Sequence, residues 1–170
     1  MGLFDKLTGT KRPSSEVVPR SVEEVRAALL GLNGPDVPYV VRNGTLEGAD
    51  LVAEWRISDP AWHTFFARTQ VSRALQIRMR LVQANHEVRT LDRQWEVTWV
   101  GSTPRLALSA EYSRGQVKTA SRRWTIERGA DDGLEATETF RFDNSEMKRP
   151  LQDAVLEAGW TWRGVMSAKL

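Results

Sequence analysis

From Leu75 to Phe142 the chain alternates apolar and polar residues, broken by turn-forming clusters at Ala84-Asn85, Gly101 to Pro104, Ser113 to Gln116 and Asp131-Asp132-Gly133. A period of two is the pattern of strands with one buried face, because successive side chains of a strand point to opposite sides of its sheet. The alternation predicts five antiparallel strands. Leu75, Ile77, Met79 and Leu81 alternate with Gln76, Arg78 and Arg80, and Trp95, Val97 and Trp99 alternate with Gln94, Glu96 and Thr98. Leu106, Leu108, Ala110 and Tyr112 follow, then Trp124 and Ile126, then Leu134, Ala136, Phe140 and Phe142. Upstream, Tyr39-Val40-Val41-Arg42, the turn formers Asn43-Gly44, and the alternating Leu51, Ala53, Trp55 and Ile57 read as a hairpin.

Three helices accompany this sheet. Ser21 and Glu24 have capping-box spacing, and Val22, Val25, Leu29 and Leu32 make one apolar stripe that stops at Asn33-Gly34-Pro35. Asp59-Pro60 starts a second helix, the aspartate as cap and the proline where its missing amide costs nothing, with Trp62, Phe65, Phe66 and Thr69 on a broad face. A C-terminal helix, capped by Asn144 or Ser145, runs through Leu151, Ala154, Val155 and Leu156, Gly159 either caps or interrupts it, and Trp160 and Trp162 follow in a short mixed tail. The expected fold is α+β: a single domain over residues 21–170, an antiparallel sheet of about seven strands (hairpin plus five-stranded meander) with helices, the C-terminal one included, packed on one face. Residues 1–20 read separately. Leu3, Phe4 and Leu7 give a short N-terminal turn one greasy edge, and the segment from Thr8 to Arg20, with Pro13-Ser14-Ser15 and Pro19, reads as a flexible linker.

Composition removes several function classes. No run of apolar residues exceeds four, far below the roughly 18 that span a bilayer. The absence of cysteine excludes disulfides, thiolate metal sites and cysteine nucleophiles. With His63 and His86 as the two histidines, a metal shell would need carboxylates or a second chain, so neither metal nor cofactor is expected. The first residues lack the apolar core and small-residue cleavage site of a secretory signal, and the expected location is the cytoplasm, with weak membrane-surface contact through Leu3, Phe4 and Leu7.

No dinucleotide fingerprint, phosphate loop, zinc-protease motif or nucleophile elbow is present. The candidates for acid–base chemistry are His63, four residues after Asp59, and Glu138, whose parity points it to the apolar side of its strand, where an unpaired carboxylate is costly. Residues 59–128 hold 12 basic and 6 acidic side chains with tryptophans interleaved, which raises the question of single-stranded nucleic acid. Within each strand, however, the tryptophans alternate with the polar residues, and a stacking platform needs both on one exposed face, so this reading is disfavoured. Arg78 and Arg80 are expected to pair with Glu96 or Glu127 across strands. Seven tryptophans are the feature left over. The leading expectation is a non-catalytic domain that binds an apolar or amphipathic small molecule, or a protein partner, on a sheet face lined by Trp55, Trp95, Trp99, Trp124, Phe140 and Trp160. The alternatives are a small pocket enzyme using His63 and Glu138, and a nucleic-acid module using the central arginines.

Overall fold

The computed structural model describes residues 2–69, 71, 73–108, 125–128, 134–137, 144–165 and 170. Its architecture is α+β, with α1 (Leu3–Thr8), α2 (Val22–Leu30), β1 (Tyr39–Asn43), β2 (Leu51–Trp55), α3 (Pro60–Thr69), β3 (Arg73–Val82), β4 (Glu87–Val100), β5 (Thr103–Leu108), β6 (Thr125–Arg128), β7 (Leu134–Thr137), α4 (Asn144–Glu157) and β8 (Thr161–Gly164). Strands β1 to β5 form an antiparallel meander in chain order, and β6 and β7 pair as a separate two-stranded sheet. No helix among the described residues is long and apolar enough to cross a membrane.

The local signals act as their chemistry requires. The Ser21 hydroxyl accepts from the Glu24 amide at 3.2 Å while the Glu24 carboxylate accepts from the Ser21 amide at 2.9 Å, closing the capping box of α2. Asp59 caps α3 through the Ala61 amide at 2.9 Å. Gly159, at φ +75°, takes the left-handed position that ends α4, and the Trp160 amide closes the turn on the Val155 carbonyl at 3.0 Å.

Two features depart from the expected layout. β4 starts at Glu87, well before Trp95, and runs for 14 residues, long enough to pair with two strands on one side. Its second half pairs with β5, and its first half pairs with the tail strand β8, which runs parallel to it. Four alternating residues that pair with a strand some seventy positions earlier leave no local signature, which is why Trp160 and Trp162 read as a mixed tail. Both are fully buried.

The β3–β4 register decides which face each side chain takes. Ile77 lies opposite Asp92, Ala74 opposite Trp95 and Arg78 opposite Leu91. Residues opposite one another in an antiparallel pair share a face. Trp95, Val97 and Trp99 therefore stand with Ala74, Gln76 and Arg78, on the side away from Leu75, Ile77 and Met79. The first face carries Tyr39, Val41, Leu51, Ala53, Leu75, Ile77, Met79 and Val88, and helices α2 and α4 complete its core with Val25, Leu29, Met147, Leu151 and Val155. On the second face Val52, Ala74, Leu91 and Val97 are also buried, so this sheet hides apolar side chains on both sides.

Residues 8–20, expected as a flexible linker, are held to the body. Lys11 and Trp162 exchange backbone hydrogen bonds at 2.8 and 2.9 Å, the Arg20 amide donates to the Ala158 carbonyl at 2.9 Å, and the Trp160 indole N–H donates to the Arg20 carbonyl at 2.8 Å. A proline-rich composition resists helix and sheet but does not prevent extended docking, since its carbonyls still accept hydrogen bonds.

The β4–β8 junction carries a buried carboxylate. Glu87 accepts from Arg89 Nε at 2.7 Å and from Arg163 Nε at 2.6 Å. Burial pushes its pKa up, but the hydrogen bonds from Arg89 and Arg163 outweigh this and hold the carboxyl below its ordinary range. A carboxyl with a depressed folded-state pKa contributes stability that is present above the unfolded value, about 4.3, and lost as pH falls through the folded one. Glu87→Gln is therefore expected to destabilise at pH 7 by about 1.5–3 kcal/mol, with the gap from the native chain closing below about pH 4. Urea unfolding at a series of pH values reads this directly, and a gap that stays constant with pH would contradict it.

Candidate functional site

A cleft of about 320 Å³ opens on the second face of the sheet. Val40 of β1, Glu54 of β2, Ala74 and Gln76 of β3, Trp95 of β4 and Leu106 of β5 line it, and the turn from Trp55 to Asp59 borders it. The side chains converge because of register: Val40 lies opposite Glu54, Glu54 opposite Gln76, and Ala74 opposite Trp95, so one diagonal row of same-face positions crosses five strands. The apolar part of the wall is Trp95, Val40, Ala74 and the half-exposed Leu106.

The polar part is braced from behind. Arg42 Nε donates to Glu54 at 2.9 Å and Arg42 Nη2 to Glu47 at 2.6 Å. Gln76 donates its amide to Glu54 at 2.9 Å and accepts from Arg78 Nε at 3.1 Å. The hydrogen bonds to Glu47 and Glu54 raise the pKa of Arg42, and the bond from Arg42 lowers that of Glu47, so both stay charged at neutral pH. At the border, Arg56 donates to the Asp59 carboxylate at 3.0 Å and to the carbonyls of Gly34 and Val37 at 3.0 and 3.3 Å. These bonds fix the positions of Glu54 and Gln76, while a carboxylate with two oxygens and about four acceptor sites retains room for another donor.

Of the residues singled out in the sequence, Trp55 and Trp95 line this cleft. Trp99 stands on the same face further along β4 and donates its indole N–H to the Val71 carbonyl at 2.9 Å. Trp160 is buried away from it, its ring 5.7 Å from that of His86. Trp124, Phe140 and Glu138 lie outside the described residues. His63 is half-buried on α3 and is not among the residues lining the cleft, and the Asp59 carboxylate that could orient its imidazole is engaged by Arg56 and by the Ala61 amide. Among the described residues no three His, Asp or Glu side chains gather as a metal-ligating group. Val40, Gln76 and Leu106 escaped sequence reasoning, since each is an ordinary alternating residue whose role depends on its cross-strand neighbour.

The register also changes the nucleic-acid question. Arg78, Arg89 and Arg93 share a face with Trp95 and Trp99, contrary to the expectation from parity within each strand. Arg80 and Arg78 reach the carbonyls of Gly48 and Glu47 at 2.6 and 3.4 Å, not Glu96, which lies opposite Arg73 on the other face. The middle of the second face, at Val52, Leu91 and Val97, is buried, and a stacking platform needs an open one.

Fold and cleft together define an α+β domain with a polar-braced, aromatic-walled hollow on a sheet that buries apolar side chains on both faces. Comparison with protein-family models, with curated proteins and with solved structures finds no match for this chain.

Proposed function

We propose that this chain is a non-catalytic binding domain whose cleft takes an amphipathic small molecule, its apolar part against Trp95, Val40 and Leu106 and its polar end at Glu54 and Gln76. The observation that carries this reading is the cleft itself: about 320 Å³, walled by an aromatic ring and aliphatic side chains, with two polar groups held in place by Arg42 and Arg78. Sites for small ligands are mostly apolar hollows of about 300–1,000 Å³ with a few fixed polar groups. A binding role is favoured over catalysis because the cleft's carboxylates are committed to arginines and His63 is not among the groups that line it.

Native mass spectrometry of the full chain tests the proposal, with and without denaturation. The expected result is extra mass that leaves on unfolding, and a Trp95→Ala chain that binds the recovered molecule about 30-fold more weakly, the usual loss for a central aromatic contact of about 2 kcal/mol. Trp95→Phe, which keeps a ring in the wall, should retain most of the affinity. If the native chain carries no ligand and a panel of amphipathic compounds leaves its tryptophan fluorescence unchanged, the cleft is not a binding site.

A further inference from the structure

The short helix α1 is amphipathic in the opposite sense to a helix that packs on a protein body. Leu3 and Leu7, one turn apart, are 77% and 64% exposed, and Lys6 beside them is exposed. Two of its polar residues face inward: the Asp5 side chain is 14% exposed and pairs with Arg12 at 3.2 Å, and Thr8 is buried, its hydroxyl 2.7 Å from that of Thr10. A surface helix normally turns its apolar stripe toward the core and its charges toward water. Here the body takes the aspartate and the threonine and leaves the leucines outside.

This arrangement is held in place. The Thr10 amide returns to the Asp5 carbonyl at 2.9 Å, and Lys11 bridges to Trp162 of β8 by two backbone bonds. Leu3 and Leu7 therefore project from a fixed platform, so docking them orders no tether and costs little conformational entropy. The charges around them select the partner. Residues 2–20 contain four basic and two acidic side chains, one of the acids, Asp5, is already matched by Arg12, and Lys6, between the leucines in sequence, and Lys11, four residues after Leu7, are both exposed. Leucines flanked by lysines whose long stems can lie along the apolar boundary while their ammonium groups stay at the headgroups suit an anionic lipid surface.

We infer that the outward face of α1, Leu3, Leu7 and Lys6, together with the exposed Lys11 three residues past its end, is a docking site for anionic membrane surfaces. It binds reversibly, since two leucines and two lysines are a smaller anchor than a single acyl chain supplemented by a basic cluster. The inference does not depend on the cleft, and Trp95→Ala should leave it unchanged.

Sedimentation of the full chain with phosphatidylcholine vesicles, with and without phosphatidylglycerol, provides the test. The expected result is co-sedimentation with the anionic vesicles, little with the neutral ones, and weakening as salt rises. Leu3→Ser/Leu7→Ser should lower the partition coefficient at least about tenfold, because each exposed leucine buried in the boundary is worth a factor of that order. The double variant should keep the native thermal midpoint, as both side chains already face water. Because the chain has no cysteine, Leu7→Cys accepts a single environment-sensitive fluorophore, whose emission should shift to the blue with anionic vesicles alone. Absence of binding to anionic vesicles, binding unchanged in the double variant, or equal binding to neutral vesicles would overturn the inference. So would a dimer of the native chain that the double variant dissolves, which would make the occupant a second copy of this chain.

Discussion

Lys148→Met is expected to destabilise the fold by about 3–5 kcal/mol, the cost of removing one partner from a buried ion pair. Asp92 of β4 is fully buried on the helix-covered face, opposite Ile77, and the Lys148 ammonium of α4 meets its carboxylate. Lys148 is itself 14% exposed, so the pair lies almost wholly out of water. Burial withdraws hydration from both charges, and each is tolerated because of the other. Lys148→Met keeps much of the volume and leaves the carboxylate without that cation. Asp92→Leu combined with Lys148→Met removes both charges and should recover most of the loss, since apolar replacement of a buried pair is often neutral or better. Urea unfolding of the two variants checks this. A loss below about 1 kcal/mol for Lys148→Met would place the pair in the class of solvated surface bridges.

Gly159→Ala is expected to cost about 2–4 kcal/mol and to loosen the N-terminal segment first. The residue sits at φ +75°, where an L side chain costs about 1–2 kcal/mol. A Cβ there would lie 2.9 Å from the backbone of Pro19 and from the Val18 carbonyl oxygen, atoms of the segment that crosses the end of α4. Backbone cannot move aside as a flexible side chain does, so residues 18–20 must shift. The bonds from the Arg20 amide to Ala158 and from the Trp160 indole to Arg20 then weaken together. Gly48→Ala is the control, because its φ is +71° but nothing lies within 4 Å of its Cβ, so it carries the backbone strain without the collision. Thermal unfolding should separate the two variants by at least about 1 kcal/mol. Limited trypsin digestion should cut after Lys11 or Arg20 faster in Gly159→Ala than in Gly48→Ala. Equal behaviour would mean that Pro19 is not packed on the helix end.

Much of the fold is legible in short windows of sequence. The Ser21–Glu24 box and the Asp59-Pro60 start each act over fewer than five residues, and the β3 alternation lies within one strand, whereas Gly159 could equally have interrupted its helix as ended it. What one strand cannot reveal is its phase relative to its neighbour. Val82 pairs with Glu87 across a turn of four residues, with His86 in the left-handed region at φ 46°. A register shifted by one position would turn every side chain of β4 to the other face. Leu75 and Trp95 each sit on the apolar side of their own strand, yet the register sends them to opposite sides of the sheet. This one fact buries Asp92 beneath α4, places Trp95 in the cleft and brings arginines and tryptophans onto a common face. Of the residues that line the cleft, Trp55 and Trp95 could be named from composition, but Trp55 lies opposite Tyr39 and its ring stands on the helix-covered face. Val40, Gln76 and Leu106 could not, because a residue's cross-strand neighbour is absent from its own neighbourhood in the chain.

The sequence by itself determined the three main helices, the caps of α2 and α3 and the cores of β1 to β3, because backbone preference and side-chain period act between residues a few positions apart. Tertiary structure decided the pairing of β8 with β4, the docking of residues 8–20 and the face on which each tryptophan stands. These rest on partners from 5 to about 150 positions apart, as in the backbone bonds between Lys11 and Trp162. Their choice is made by the hydrogen bonds and buried surface of the whole assembly, and no local stretch of chain contains that energy.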